Sequence, residues 1–367
     1  MLIGIDGTMF TLQKTGIANY GYELLSRLPQ IMPEAKFVIF SPNPPPAGWS
    51  LPEAVFRWVQ DCRFYERPMI AYKSFGMAMA AAREKIDAFW AIAGVAPFFM
   101  PCPVLLTVHD YVYLVEAQSM PLTRRVFRTW SQPFWTRRAA KVMSNSMAVA
   151  QETKKYIGRD VDGIIRPGVD SSFYPRQPDE IKQVKEKYGI DRAYYLIVGT
   201  VEPRKNLQLF LETYMEQMAA MAKPLPVLVI SGPAGWKAGP IASMIERGVQ
   251  AGWVKAIGYA DYVDLPALYS GAELLFMPSR YEGFGMPVLE ARMCGCPVVC
   301  SDVAAMREAG GTTTFYHAPS QDGLRMAIAH VFSQPLSPRR EPPPEVDWSW
   351  DSGAKQLAEQ LIMMVKK

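Results

Sequence analysis

Histidine is scarce in this 367-residue chain; only His109, His317 and His330 are present. Cysteine is nearly as thin. The five, Cys62, Cys102, Cys294, Cys296 and Cys300, are odd in number with three close together, which is not a secreted disulfide framework. Cys294-Gly-Cys296 could suggest a metal site, but no second Cys or His pair stands nearby at ligand spacing. Small buried residues before and within a strand are the plainer reading. Net charge is only +4, with no overall case for nucleic-acid binding. The start, MLIGID, has neither a basic leader nor a cleavage site, so no signal peptide is expected. One uncharged run, Ala88 to Val108, has 21 residues, long enough to span a bilayer. Gly94, Pro97, Pro101 and Pro103 interrupt it, so two buried strands joined by a proline loop are expected. No G-x-G-x-x-G follows the first strand, which disfavours a nicotinamide oxidoreductase.

What is present is a folded composition, 49% hydrophobic and 20% charged, on a length that suits two domains. Short apolar runs alternate with amphipathic ones. Strands are predicted at 2–5, 36–40, 55–59, 87–91, 104–108, 141–144 and 163–165, with a helix over 18–28 and another over 146–157 capped by Ser144 or Ser146. A stiff connector, Pro167 to Pro178, follows. A second series then runs through strands at 194–198, 226–230, 254–257, 274–277 and 297–300, with helices at 207–219, 265–270 and 287–293. Such alternation predicts an α/β protein of two doubly wound sheets facing each other across a cleft. Residues 335–347 are proline-rich and are expected to be a linker, after which 348–365 forms an amphipathic helix. The expected domains are 1–172 plus 348–367, and 173–347.

The most informative stretch is Ser279 to Met293, SRYEGFGMPVLEARM. Gly283 and Gly285 let backbone approach a ligand, and Pro287 suits a first helical turn whose N–H groups favour an anion. Glu282 is expected before that helix and Glu290 in its first turn. Pointed at phosphate, two carboxylates would repel it, so they suit sugar and ribose hydroxyls better. Ordinary loop and helix-start acids are the bland alternative. Arg204 and Lys205 follow a strand and Gly199, at the carboxyl end where open α/β sheets bind ligands. They would steady charge developing on a leaving phosphate, although a solvated basic loop is the simpler reading of the pair alone.

The pattern EGFGMPVLEA, continuing to GCPVV, resembles the E-x7-E signature of glycosyltransferase family 4, retaining enzymes of the GT-B fold. Gly199 to Leu207 (GTVEPRKNL), Val108-His-Asp110, Ser144 to Thr153 and Pro167-Gly-Val-Asp170 resemble further family segments, so the likeness covers nearly the whole chain. It implies two Rossmann-like domains, a nucleotide-diphosphate sugar donor and no metal or other cofactor. His109, Arg204, Lys205 and Glu282 would be catalytic. Gly16, Tyr259, Glu282, Gly283, Phe284, Gly285, Met286 and Glu290 would bind donor. Backbone N–H groups at Phe284, Gly285 and Met286 would hold sugar hydroxyls, Glu290 the ribose, and Tyr259 or a neighbour would sit near the base. Gly16 stands alone where the family usually has a glycine pair. A double displacement would need a carboxylate nucleophile, for which only Asp110 stands near His109; the resemblance implies instead front-face attack, with the leaving phosphate accepting the acceptor's proton. IGID, EPRKNL and EGFGMP look most like mannosyltransferases that use GDP-mannose in polysaccharide or lipopolysaccharide biosynthesis.

One basic stretch is left over. Arg124, Arg125, Arg128, Arg137, Arg138 and Lys141 interleave with Phe127, Trp130, Phe134 and Trp135. This suits a packed helix with a solvated basic face, and it also suits peripheral contact with anionic membrane. In the second case the acceptor would be a lipid-linked glycan met at the cytoplasmic face. Competing functions are a GT-B nucleotide-sugar 2-epimerase, which would lack the Arg–Lys pair joined to E-x7-E, and an inactive sugar-nucleotide binding protein. The intact His109, Arg204, Lys205, Glu282 and Glu290 speak against inactivity.

Overall fold

A computed structural model of the chain describes residues 1–10, 15–44, 49, 51–60, 71–221, 225–236, 238–334 and 348–366. The expected linker 335–347 lies outside the described residues, as do Gln13, Lys14 and Cys62. By their contacts the residues form two compact units. The first comprises Met1–Leu114, Leu122–Gly168 and Asp347–Lys367, and the second Val115–Pro121 and Val169–Val346. Two departures from the expected boundaries result: the second unit starts at Val169 rather than 173, and it takes in Val115–Pro121, which the linear reading assigned to the first.

The first unit is built on β1 (Leu2–Asp6), β2 (Lys36–Ser41), β3 (Phe56–Gln60), β4 (Ala88–Ala91), β5 (Val104–Val108), β6 (Lys141–Ser144) and β7 (Gly163–Ile164). They pair in the order β3-β2-β1-β4-β5-β6-β7, all parallel. Every residue of β4 and β5 is buried, the signature of strands covered on both faces. The long uncharged run is therefore two central strands joined by a proline loop. Among the described residues no helix is long and apolar enough to cross a membrane.

Helix Trp350–Val365 belongs to this first unit. The Ser349 hydroxyl caps it by accepting from the Ser352 N–H. Trp350, Ala354, Leu357, Ala358, Leu361 and Met364 recur at helical spacing and are buried in one core with Leu24, Leu25 and Leu28 of helix Gly16–Ile31. At the edge, Arg27 Nε donates to Asp351 at 2.6 Å. A Cβ on Gly168 would fall 2.4 Å from the Trp350 backbone nitrogen, so only glycine lets the chain meet the start of this helix here.

The second unit contains β8 (Tyr194–Val198), β9 (Val227–Ser231), β10 (Val254–Gly258), β11 (Leu274–Met277), β12 (Val298–Ser301) and β13 (Phe315–His317). Their order is β10-β9-β8-β11-β12-β13, again all parallel. The order reverses between β1 and β4 in one sheet and between β8 and β11 in the other. Crevices beyond the carboxyl ends of strands at such a reversal are where open α/β sheets bind ligands.

Candidate active site

In the second unit, the loops leaving β8 and β11 carry the two motifs and are tied together, the Arg280 N–H donating to the Arg204 carbonyl at 2.9 Å. Pro203–Lys205 makes a single tight turn closed by Asn206 in the left-handed region, φ 58°. This turn brings Arg204 and Lys205 to one carboxylate. Arg204 Nη1 donates to Glu282 Oε2 at 2.7 Å, and Lys205 Nζ pairs with Glu282 Oε1 at 2.7 Å. Arg204 also reaches Glu202 Oε1 through Nε at 2.5 Å and the Tyr281 carbonyl at 3.2 Å. A Cβ on Gly199 would stand 3.4 Å from the Lys205 ammonium, and its φ of 140° is one that other residues rarely adopt.

Lys205 is buried, and the Glu282 side chain is only 8% exposed. The Arg–Lys pair is therefore not a solvated basic loop. Burial would raise the Glu282 carboxyl, but Arg204 and Lys205 overrule it and hold the group down at about 2. Burial pushes the Lys205 ammonium down, against the pull of Glu282. The result is a preorganised cluster of two cations and two carboxylates, at a place where charge could be received.

Beyond Glu282 the chain passes Gly283 and buried Phe284 to Gly285, whose φ is 107°. Helix Met286–Met293 starts there, with Pro287 in its first turn and no side chain capping it. In that turn Pro287 has no N–H, and the Val288 N–H bonds the Gly285 carbonyl at 3.0 Å. Glu290 is the fifth residue of this helix, so it lies in the second turn and not, as expected, the first. It is buried, and its Oε2 accepts from the Tyr269 hydroxyl at 2.8 Å. Burial raises the Glu290 carboxyl to about 7, against the opposing effect of that hydrogen bond. Tyr259 follows β10 directly and is about half exposed.

In the first unit His109 directly follows β5 and is buried. One imidazole nitrogen, Nε2, lies 2.7 Å from the Ile92 carbonyl, just past β4. A carbonyl can only accept, so Nε2 carries the proton. Burial lowers the imidazole to about 4 despite this bond, leaving a neutral ring near pH 7. The ring stands edge-on to Tyr20, centroids 4.9 Å apart, and the Tyr20 hydroxyl donates to the Ile165 carbonyl. Gly16 opens helix Gly16–Ile31 after Thr15, whose hydroxyl accepts from the Ala18 N–H. Among the described residues a Cβ on Gly16 would meet nothing within 4 Å, so none of their atoms demands a glycine there.

Several groups were not singled out from sequence. Glu202 shares Arg204. Arg280 grips Glu116 with both Nε and Nη2, at 3.0 and 2.9 Å, and donates to Asn206 Oδ1. Tyr269 holds Glu290. The separations of these pairs, 164 residues for Arg280 with Glu116 and 21 for Tyr269 with Glu290, leave no local signal. One Asp-x-Asp sequence does occur, Asp160-Val-Asp162, a spacing that can serve a divalent ion, but both acids are engaged elsewhere. Asp160 pairs with Lys154, while Asp162 accepts from the Val142 N–H and pairs with Lys141 and Arg159. Cys294, Cys296 and Cys300 are buried free thiols pushed up by that burial.

Residues 179–341 match the family model for glycosyl transferases group 1. O-antigen chain mannosyltransferase B of Escherichia coli is 42% identical over 144 residues, 38% of this chain and 37% of that protein. The serotype-specific mannosyltransferase WbdA of Escherichia coli is 24% identical over 220 residues, 58% of this chain and 27% of the relative. The matches thus span well under half the length of either relative. Among solved structures, sucrose-phosphate synthase from Thermosynechococcus elongatus aligns with a TM-score of 0.77 at 18% identity, covering 100% of this chain and 99% of that one. WaaG, a glycosyltransferase involved in lipopolysaccharide biosynthesis, aligns with a TM-score of 0.68 at 17% identity, covering 100% and 98%. At these identities the likeness shows the fold. The chain therefore has the GT-B fold of two Rossmann-like α/β units, and its residues 179–341 match the family model for glycosyl transferases group 1.

Proposed function

We propose that this chain is a retaining, metal-independent glycosyltransferase that moves mannose from GDP-mannose to a glycan or lipid-linked glycan acceptor. The observation that carries the reading is the clasp of Arg204 and Lys205 on Glu282 at the β8/β11 reversal, directly before the uncapped start of helix Met286–Met293. Departure of a nucleoside diphosphate places negative charge on phosphate, and fixed cations held ready for it need no reorganisation. Arg204 supplies a planar fork and Lys205 a point charge, which the diphosphate would share with Glu202 and Glu282. The N–H groups at Phe284, Gly285 and Met286, with the Glu282 carboxylate, suit sugar hydroxyls. Glu290 suits the ribose, Tyr259 the base and Gly16 the diphosphate. His109, neutral and fixed by Ile92, is assigned to the sugar near its reacting carbon.

The bond from the sugar's anomeric carbon to the diphosphate breaks as the acceptor oxygen attacks from the same face. The acceptor's proton passes to the departing phosphate oxygen, so no carboxylate nucleophile is required. The mannosyltransferase relatives support the sugar, and the O-antigen chain named for one of them supports a polysaccharide or lipopolysaccharide product.

A melting series tests the donor. GDP-mannose should raise the melting temperature more than UDP-glucose or ADP-glucose, because a ligand bound only by the folded state stabilises by RT ln(1 + [L]/Kd). A clear preference for a UDP sugar would overturn the donor assignment. No shift with any nucleotide sugar would overturn the transferase reading itself.

A further inference from the structure

Helix Leu122–Arg138 packs one side and presents another. Ser131, Gln132, Trp135 and Thr136 are its buried residues, and the Gln132 amide donates to the Asp110 carbonyl, fixing the helix's roll. On the outward side stand Leu122, Val126 and Trp130, 70%, 50% and 75% exposed. They are spaced by four residues, so they form one continuous apolar stripe rather than scattered surface hydrophobics. Half-buried Phe134 extends it and stacks edge-on with Phe98 at 5.4 Å, which brings neighbouring Phe99, 79% exposed, beside the helix. Exposed arginines border the stripe: Arg125 on the helix, then Arg137 and Arg138 at its end.

The charge that the helix itself carries is of one sign. Between Glu116 and Glu152 the sequence holds no acidic residue, but it holds Arg124, Arg125, Arg128, Arg137, Arg138 and Lys141. A solvated basic face would not carry Leu122, Val126 and Trp130 outermost. A protein partner's apolar patch would match the stripe but not the exposed Arg125, Arg137 and Arg138. An anionic bilayer matches both, taking the apolar side chains below its headgroups and the guanidinium groups among its phosphates.

We propose that helix Leu122–Arg138, with Phe99 beside it, is a docking face for an anionic lipid bilayer, engaged through Leu122, Val126 and Trp130 and steered by Arg125, Arg137 and Arg138. As a statement of where a lipid-borne acceptor is met, this rests on the glycosyltransferase reading above.

Flotation of the full chain with phosphatidylcholine vesicles, with and without 30% phosphatidylglycerol, tests the proposal. Binding is expected on the anionic vesicles, weakening as salt is raised. L122Q/V126Q/W130Q should reduce that binding at least tenfold. R125Q/R137Q should cost about fivefold per arginine and abolish the preference for anionic lipid. All five positions are exposed, so both variants should keep the wild-type melting temperature and the wild-type shift with GDP-mannose. Absence of anionic-vesicle binding at low salt, or binding that neither variant weakens, would overturn the proposal. So would a wild-type dimer that W130Q converts to a monomer without any vesicle binding, because the stripe would then pair two copies. A protein that binds vesicles but no nucleotide sugar would instead overturn the transferase reading and leave the docking face standing.

Discussion

Glu290→Gln should make the ligand-free protein more stable and a poorer donor binder at once. The Glu290 carboxyl titrates at about 7 in place of 4.5 because it is buried. Between those two values the folded state keeps a proton that the unfolded chain has released. Wild-type stability must therefore fall as pH rises through that window, and no difference remains below it, where both states are protonated. By pH 8 the accumulated cost is about 3 kcal/mol. Glutamine carries no charge, and its side-chain oxygen can still accept the Tyr269 hydroxyl. The variant should thus melt roughly 6–12 °C above wild type at pH 8, and close to it at pH 4.5. Donor hydroxyls, in contrast, lose a charged acceptor, which costs ~1.5–3 kcal/mol of affinity. Wild-type donor affinity should also rise as pH rises through about 7, a dependence that Glu290→Gln should abolish. Calorimetry of both proteins at pH 4.5 and 8, with GDP-mannose titrations at each pH, measures all of this. A variant that melts below wild type at pH 8 would refute the argument from burial, and unchanged donor affinity would remove the ribose role.

Arg204→Ala should lower the transfer rate by ~10²–10³ with the fold intact, since it removes one stabiliser of the departing phosphate; near-normal turnover would show that its pairing with Glu282 is purely structural. Lys205→Ala should cost stability as well as rate, about 3–5 kcal/mol, because Lys205 is one half of a buried ion pair; wild-type thermal stability would argue that the pair is open to water. Transfer should survive excess chelator, and activity that is lost and then restored only by Mg²⁺ or Mn²⁺ would count against the two cations as the phosphate's partners. Removing residues 348–367 should expose Leu24, Leu25 and Leu28 of the first core and cripple the enzyme although no candidate site residue is lost; a soluble, cooperatively folding and active truncation would refute this.

Much of the architecture was legible because buried parallel strands are short apolar runs, and such runs report themselves locally. Val104–Val108, Lys141–Ser144 and Leu274–Met277 fall where the runs are. The motif residues were legible for a related reason. Gly199, Gly285 and the Pro203–Lys205 turn need particular backbone shapes, which dictate residue type over a few positions. What the chain's order alone determined, then, is which residues stand at the carboxyl ends of β8 and β11. Their state was decided by folding. Glu282 is an anion held at about 2 because Arg204 and Lys205, 78 and 77 residues away, close on it, while Glu290, eight residues further along, is raised to about 7 by burial beside Tyr269. Two glutamates of one motif thus differ by environment alone. The same holds for helix Leu122–Arg138: its arginines and aromatics are written in the sequence, but only packing through Gln132 and Trp135 chose Trp130 for the outside. Residue identity is a local property, whereas protonation and exposure depend on neighbours that distant parts of the chain supply.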